Sequence, residues 1–189
     1  MKEIRAFIAI DLPKELHPKL DEVKHQLSAD LSSGSVRWVN SDNIHLTLRF
    51  LGDVPMDLLP DLYRCLNDCA VGNSSITLRL NSLGCFPNPR NPRVIWLGLD
   101  GDLDRLSTLH QRIEDSLVTL GFPKEGRRYH PHLTLGRVKE SREVINARLP
   151  WGKELIEGEF CAGSVHLIES QLKPSGAVYT IRHSTELQT

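Results

Sequence analysis

Cysteine is scarce: four among 189 residues, at positions 65, 69, 85 and 161, and none forms a CxxC pair. Such a set fits neither a disulfide scaffold nor a cysteine-built zinc site, and core thiols in a reducing cytoplasm are the simpler expectation. Charge of one sign is lacking as well. Lys and Arg number 23 against 24 Asp and Glu, a formal net charge of −1. That balance argues against a polybasic nucleic-acid binder and leaves room only for a local basic cleft. No apolar run approaches the ~20 residues of a membrane span. The apolar start of MKEIRAFIAIDLP is closed by Asp11 with no small-residue cleavage site behind it, so it reads as a first strand and not as a signal peptide. No low-complexity stretch or long linker divides the chain. What remains is a globular composition, 40% hydrophobic and 25% charged, in a chain long enough to bury a core of its own.

Periodicity then orders the elements. Residues 4–10 read as a strand buried on both faces. Leu16, Leu20, Val23 and Leu27 follow Pro13 at helical spacing. SSGS at 32–35 is a loop, Val36 to Val39 a short strand, and His45 to Phe50 a strictly alternating one. Leu58, Leu62 and Leu66 mark a second helix, and Ile76, Leu78 and Leu80 a half-buried strand. CFPNPRNPR at 85–93 holds three prolines and reads as a rigid connection without regular structure. A strand at Val94–Leu99 precedes the best helical stripe, Leu106, Leu109, Ile113, Leu117 and Leu120. Another strand is expected at His132–Leu135, and two more near Val165–Ile168 and Ala177–Arg182 around a turn at Ser175-Gly176. Helices mixed with hairpin-like strands predict an α+β fold.

One tetrapeptide occurs twice. His45-Leu46-Thr47-Leu48 returns as His132-Leu133-Thr134-Leu135, 87 residues on and about half the chain away. The simplest account is two half-repeats, each donating one copy to a single bilobal domain spanning 1–189. In a strand, side chains alternate between faces. Leucines then anchor each copy to the core, while His45, Thr47 and Arg49 share one face and His132 and Thr134 share another. A pseudo-twofold axis between the halves would bring two His and two Thr into one cleft. Such a set fits phosphate-ester chemistry. A neutral imidazole takes a proton from water, a protonated one gives a proton to the leaving oxygen, and each step is worth ~10² to 10⁴ in rate. Threonine hydroxyls donate to phosphate oxygens, and an arginine offsets the charge that develops there. The pattern contains no carboxylate, so no metal site of the Mg²⁺ type is indicated. Spacing alone is equally compatible with a structural repeat or a binding surface.

At these residues the chain resembles the 2H phosphoesterase superfamily, whose signature is two HxTx motifs. It is most similar to the LigT-like RNA 2′,3′-cyclic phosphodiesterases, historically called 2′-5′ RNA ligases. RAFIAIDLP (5–13), HLTLRFLG (45–52), FPNPRNPRVIWLGL (86–99), HPHLTLGR (130–137) and PSGAVY (174–179) carry the resemblance across nearly the whole chain. It implies a bilobal fold with two antiparallel sheets lining a central cleft and helices outside. It implies hydrolysis of a 2′,3′-cyclic phosphate at an RNA or nucleotide end to a 2′-phosphate, without a metal or other cofactor. His45 would be the proton donor, His132 the proton acceptor, and Thr47 and Thr134 the phosphate holders. Arg137 matches the arginine closing the family's second motif. Simple alternation puts it on the wrong face, so either a bulge turns it inward or it is structural. Arg49 has the right parity and is carried as a phosphate or substrate contact.

Other residues have ordinary readings. His130, two before His132, reads as a supporting partner or strand-end packing residue more readily than as a metal ligand. Phe7 reads as core, with base stacking as the alternative. Trp38 beside Arg37 lines the cleft rim or is partly buried. His17, His25, His110, His166 and His183 read as surface or ordinary polar positions. Arg90, Arg93, Arg127 and Arg128 lie in expected loops, where they guide an RNA backbone or are simply solvated. The expectation is therefore a monomeric cytoplasmic enzyme acting on RNA with a 2′,3′-cyclic phosphate end or on a cyclic nucleotide, with no membrane association. Two alternatives use the same cleft: a noncatalytic RNA-end or nucleotide binding module, and an ATP-independent 2′-5′ ligase running the reaction backwards.

Overall fold

In a computed structural model of the chain, residues 2–174 and 176–188 are described. In chain order they form β1 (Glu3–Asp11), α1 (His17–Ser28), β2 (Val36–Trp38), β3 (His45–Pro55), α2 (Leu59–Ala70), β4 (Ile76–Phe86), β5 (Val94–Gly101), α3 (Leu103–Thr119), β6 (His132–Val138), α4 (Ser141–Ala147), β7 (Glu159–Ala162), β8 (Ser164–Lys173) and β9 (Gly176–Glu186). The strands run in the order β7-β4-β5-β6-β3-β1-β8-β9, with β2 on the flank of β6. All the strand pairings are antiparallel.

The sheet is a five-stranded lobe, β7-β4-β5-β6 with β2, and a four-stranded lobe, β3-β1-β8-β9, joined at one point. Among the described residues, the only ones paired between β3 and β6 are Leu46 and Leu133, the same position of the two HLTL copies. Both are fully buried. A pseudo-twofold axis therefore passes through this pair. The halves are also interleaved. β1 of the first half pairs with β8 of the second, and β5 of the second with β4 of the first.

Burial follows the periodicity. Leu20, Val23 and Leu27 of α1 are buried together with Leu16 just before it, as are Leu106, Leu109, Ile113 and Leu117 of α3. Each such side chain contributes roughly 1.5–3 kcal/mol on leaving water. α3 reaches the back of β3, where Arg49 meets Glu114. On the other lobe, Leu16 at the start of α1 and Leu80 of β4 both lie against Gly158. β1 is buried on both faces because Ile4, Ile8 and Ile10 join the main core, while Phe7 and Ala9 form a second small cluster with Ile168 on the cleft face.

Several expectations need correction. The strand β4 runs through Cys85 and Phe86, with Phe86 paired to Val94, so the irregular connection is only residues 87–93. The short α4 and β7 carry too few apolar positions to show a period. Of the expected turn at Ser175-Gly176, Ser175 lies outside the described residues. Cys65, Cys69 and Cys85 are buried free thiols, but Cys161 is exposed. His166 is no surface residue: it is buried between the hydroxyls of Ser164 and Ser184, 3.0 and 2.7 Å from its ring nitrogens.

Strict alternation also fails in both motif strands, at the same place. On β1, Ile8 pairs with Arg49 and Ala9 with Thr47, leaving Leu48 without an opposite residue. On β5, Ile95 pairs with Gly136 and Trp96 with Thr134, leaving Leu135 without one. A bulge of this kind puts the next two residues out of phase. It turns Arg49 and Gly136 to the helix side and returns Phe50 and Arg137 to the cleft side.

Candidate active site

The cleft is built outward from the Leu46–Leu133 pair. Because the strands run antiparallel through it, the residue before it in one strand comes level with the residue after it in the other. His45 is thus level with Thr134, and Thr47 with His132. Both pairs stand on the faces opposite the buried leucines.

The two imidazoles are anchored alike. His45 Nδ1 lies 2.9 Å from the Asn43 carbonyl, and His132 Nδ1 lies 2.7 Å from the His130 carbonyl. A carbonyl oxygen only accepts, so Nδ1 carries the proton in both rings and Nε2 is left for the cleft. Burial pushes both imidazoles below their ordinary value. For His45 the bond to Asn43 and the Asp11 carboxylate pull back upward, and a charge on His132 pushes down. For His132 the bond to the His130 carbonyl pulls upward, while a charge on the His130 ring pushes further down. Each imidazole thus meets the charge of another histidine, and only His45 also has a carboxylate beside it.

Aromatic rings hold the histidines in place. Phe7, only 3% exposed, stacks on His45 with ring centroids 4.6 Å apart, and Tyr179 meets His45 edge-on at 5.3 Å. Phe7 is thus the floor under His45 and not part of the main core. On the other lobe Phe86 meets His132 edge-on at 5.0 Å, and Trp96 lies 4.8 Å from His130. Trp96 lies flat over Gly84, where a Cβ would come 2.1 Å from the indole. Sequence reasoning missed Asp11, Tyr179, Phe86 and Trp96 as site residues. For Phe86 and Trp96 the signal was the β4–β5 pairing, hidden by the prolines between them.

Arg137 is exposed on the cleft face, the inward of its two expected placements. Burial pushes the Tyr179 phenol up, and the charge of Arg137 draws it partly back. Arg137 therefore sits within electrostatic reach of the ring that touches His45.

Arg49 is a correction. It is 9% exposed and turned away from His45 and Thr47. Its Nη1 donates to Glu125 at 2.7 Å, its Nη2 to the Pro123 carbonyl, and its Nε lies 2.9 Å from Glu114 Oε1, off the N–H direction. With its guanidinium held by two carboxylates behind the strand, Arg49 is not a phosphate contact. It ties the 123–125 loop to the first motif, and Tyr129 does the same by donating to the Thr47 carbonyl at 3.3 Å. His130 supports His132 through its backbone carbonyl and not through its ring. Trp38 is partly buried on the core side, against Gly136. Among the described residues no three His, Cys, Asp or Glu side chains come together to hold a metal. No helix among them is long and apolar enough to cross a membrane.

The cleft is that of a two-histidine phosphoesterase. The family model of LigT-like phosphoesterases matches the chain twice, over residues 10–96 and 97–179, one match for each HLTL copy. The chain belongs to that family. It is 32% identical to the RNA 2′,3′-cyclic phosphodiesterase of Methanothermobacter thermautotrophicus over 180 residues, covering 94% of this chain and 96% of the relative. It is likewise 32% identical to the enzyme of that name from Methanocaldococcus jannaschii, covering 94% and 98%. Among solved structures it is similar to a Thermus thermophilus protein, with a TM-score of 0.82 and 28% identity over 98% of both chains. It is also similar to E. coli LigT complexed with 3′-AMP, with a TM-score of 0.81 and 25% identity over the whole of both chains.

Proposed function

We propose that the chain is an RNA 2′,3′-cyclic phosphodiesterase that opens the cyclic phosphate by paired imidazole acid–base catalysis. One observation carries this reading: two imidazoles with Nδ1 tied to backbone carbonyls, each level with the other motif's threonine across a single pseudo-twofold contact. A phosphate between Thr47 and Thr134 would have one Nε2 on either side, as in-line displacement requires. His132 Nε2 takes a proton from water, and the water oxygen forms the new bond to phosphorus. The bond from phosphorus to O3′ breaks, and His45 Nε2–H gives its proton to O3′, leaving a 2′-phosphate. Thr47 and Thr134 donate to the non-bridging oxygens, and Arg137 offsets the charge gathering there.

The asymmetry of charge supports this assignment of roles. Asp11 beside His45 favours a protonated ring, which suits the acid. His130 beside His132 disfavours one, which suits the base. The names of the relatives support the substrate, and the resemblance supports the 2′-phosphate outcome. The chain is proposed to act as a monomer in the cytoplasm, and the resemblance implies that it works without a metal. The test is turnover of a short RNA ending in 2′,3′-cyclic phosphate, with EDTA present and the product isomer identified by chromatography. Conversion to the 2′-phosphate is expected. A 3′-phosphate product, loss of turnover with EDTA, or tight binding without turnover overturns the reading.

A further inference from the structure

Arg37 stands on β2 directly opposite Arg137 on β6. Residues opposite one another in an antiparallel pair project from the same face, with Cβ atoms about 5 Å apart. That face is the cleft. Val36 and Trp38, which flank Arg37, lie on the other side, where a Cβ on Gly136 would meet Val36 Cγ1 at 2.7 Å and Trp38 Cε3 at 2.9 Å. Both arginines are exposed. Arg49, Arg64, Arg79, Arg105 and Arg182 each have a carboxylate partner. Among the described residues, Arg37 and Arg137 are two of the ten arginines without one, and they are the two that stand directly opposite each other in a ladder. Like charges directly opposite in a ladder destabilise it, and a neutral polar residue at 37 would leave a merely solvated position without that cost. Two unneutralised guanidinium groups side by side are an anion site awaiting more than one negative charge.

The placement says which charges. β2 occupies the flank of β6 that β3 leaves as the lobes diverge. Arg37 is therefore one strand spacing, about 4.8 Å, beyond Arg137 and away from the threonines. The equivalent flank of β3 carries no strand among the described residues, and the residue there that corresponds to Arg137 is Phe50. The β6 side thus offers a pair of arginines leading away from the phosphate position.

We propose that Arg37 binds the phosphodiester one nucleotide upstream of the terminal cyclic phosphate, so that the cleft is built for an RNA chain leaving across β6 and β2. The inference rests on the cyclic phosphodiesterase reading and names its substrate class. A cyclic mononucleotide has no upstream phosphate and serves as the internal reference. The experiment compares 2′,3′-cyclic AMP with a trinucleotide ending in 2′,3′-cyclic phosphate, for the parent, Arg37→Ala and Arg37→Lys. In Arg37→Ala the trinucleotide KM rises about tenfold with kcat retained, while the constants for 2′,3′-cyclic AMP stay as in the parent. The slope of log kcat/KM against log salt concentration for the trinucleotide becomes shallower by about 0.7, the share of one phosphate contact on a single strand. Arg37→Lys keeps the parental slope. An equal KM change for both substrates, or an unchanged salt slope in Arg37→Ala, overturns the proposal while leaving the phosphodiesterase reading intact. If the parent turns over neither substrate, that reading fails and this one falls with it.

Discussion

The two HLTL motifs share sequence, bulge and imidazole anchoring, and differ in everything placed around them. Ahead of the first, Asp11 pairs with His45 and Phe7 stacks on its ring. Ahead of the second, His130 stands two residues from His132, and its ring lies against Trp96. Just past the bulge the first strand carries Arg49, turned back into two carboxylates, and the second carries Gly136, which only a residue without a Cβ can fill against Val36 and Trp38. One position further, Phe50 is 64% exposed where Arg137 stands in the other copy. The repeated residues give two interchangeable imidazoles. In the proposed mechanism the unrepeated neighbours make one an acid, the other a base, and decide from which side phosphate charge is met.

The strongest test of the likeness is to remove one imidazole at a time. His45→Ala and His132→Ala should each lower kcat by ~10² to 10⁴, with unchanged thermal unfolding. The double variant should be scarcely worse than the single ones, because groups that act as a unit are far from additive. If one single variant retains parental turnover, the motifs are alike in shape but not in function.

Next in size is a difference in stability. Arg49→Ala leaves Glu114, 3% exposed, without its counter-charge. Stranding a buried carboxylate costs about 3–5 kcal/mol, a fall in Tm of roughly 10 °C in thermal denaturation. A change under about 1 kcal/mol, the range of an exposed pair, would mean that the first motif does not depend on this tie to the 123–125 loop.

The same arginine marks where the sequence stops being readable. Alternation in a strand is a rule of period two, and it correctly set His45 and Thr47 against Leu46 and Leu48. One unpaired residue reverses the phase, and nothing in HLTLRF signals that Leu48 is that residue. The bulge makes the expected face of Arg49 wrong and the inward placement of Arg137 right for one and the same reason. The motif repeat, the three helical apolar stripes and the central strands were legible because each rests on several regularly spaced residues. Phe7 reads as core and is buried in a small cluster of its own, but an apolar strand gives no sign that this second face also covers a histidine. Trp96 and Phe86 became site residues only through a pairing across three prolines, a long-range fact no local pattern contains.

A third comparison sets the exposed arginine against the exposed aromatic at the equivalent position. Arg137→Ala should lower kcat/KM by about 10²-fold, the scale for losing one charge-stabilising donor. Phe50→Ala, which removes no charge, should change it less than about tenfold. Steady-state kinetics on one cyclic phosphate substrate reads both. Equal losses would mean that the two lips of the cleft do the same work.

The smallest effects separate the acid from the base. A proton donor must enter the reaction charged, so activity falls as pH rises through its pKa, and it governs the alkaline limb of the profile. A proton acceptor must enter neutral and governs the acid limb. Asp11 holds the His45 value up against burial, so Asp11→Asn lowers it and moves the alkaline limb to lower pH. A charge on His130 holds the His132 value down, so His130→Gln raises it and moves the acid limb to higher pH. Each variant narrows the bell from its own side and leaves the opposite limb where it was. Should Asp11→Asn move the acid limb instead, His45 is the base, and the neighbours that distinguish the two motifs have been given each other's roles.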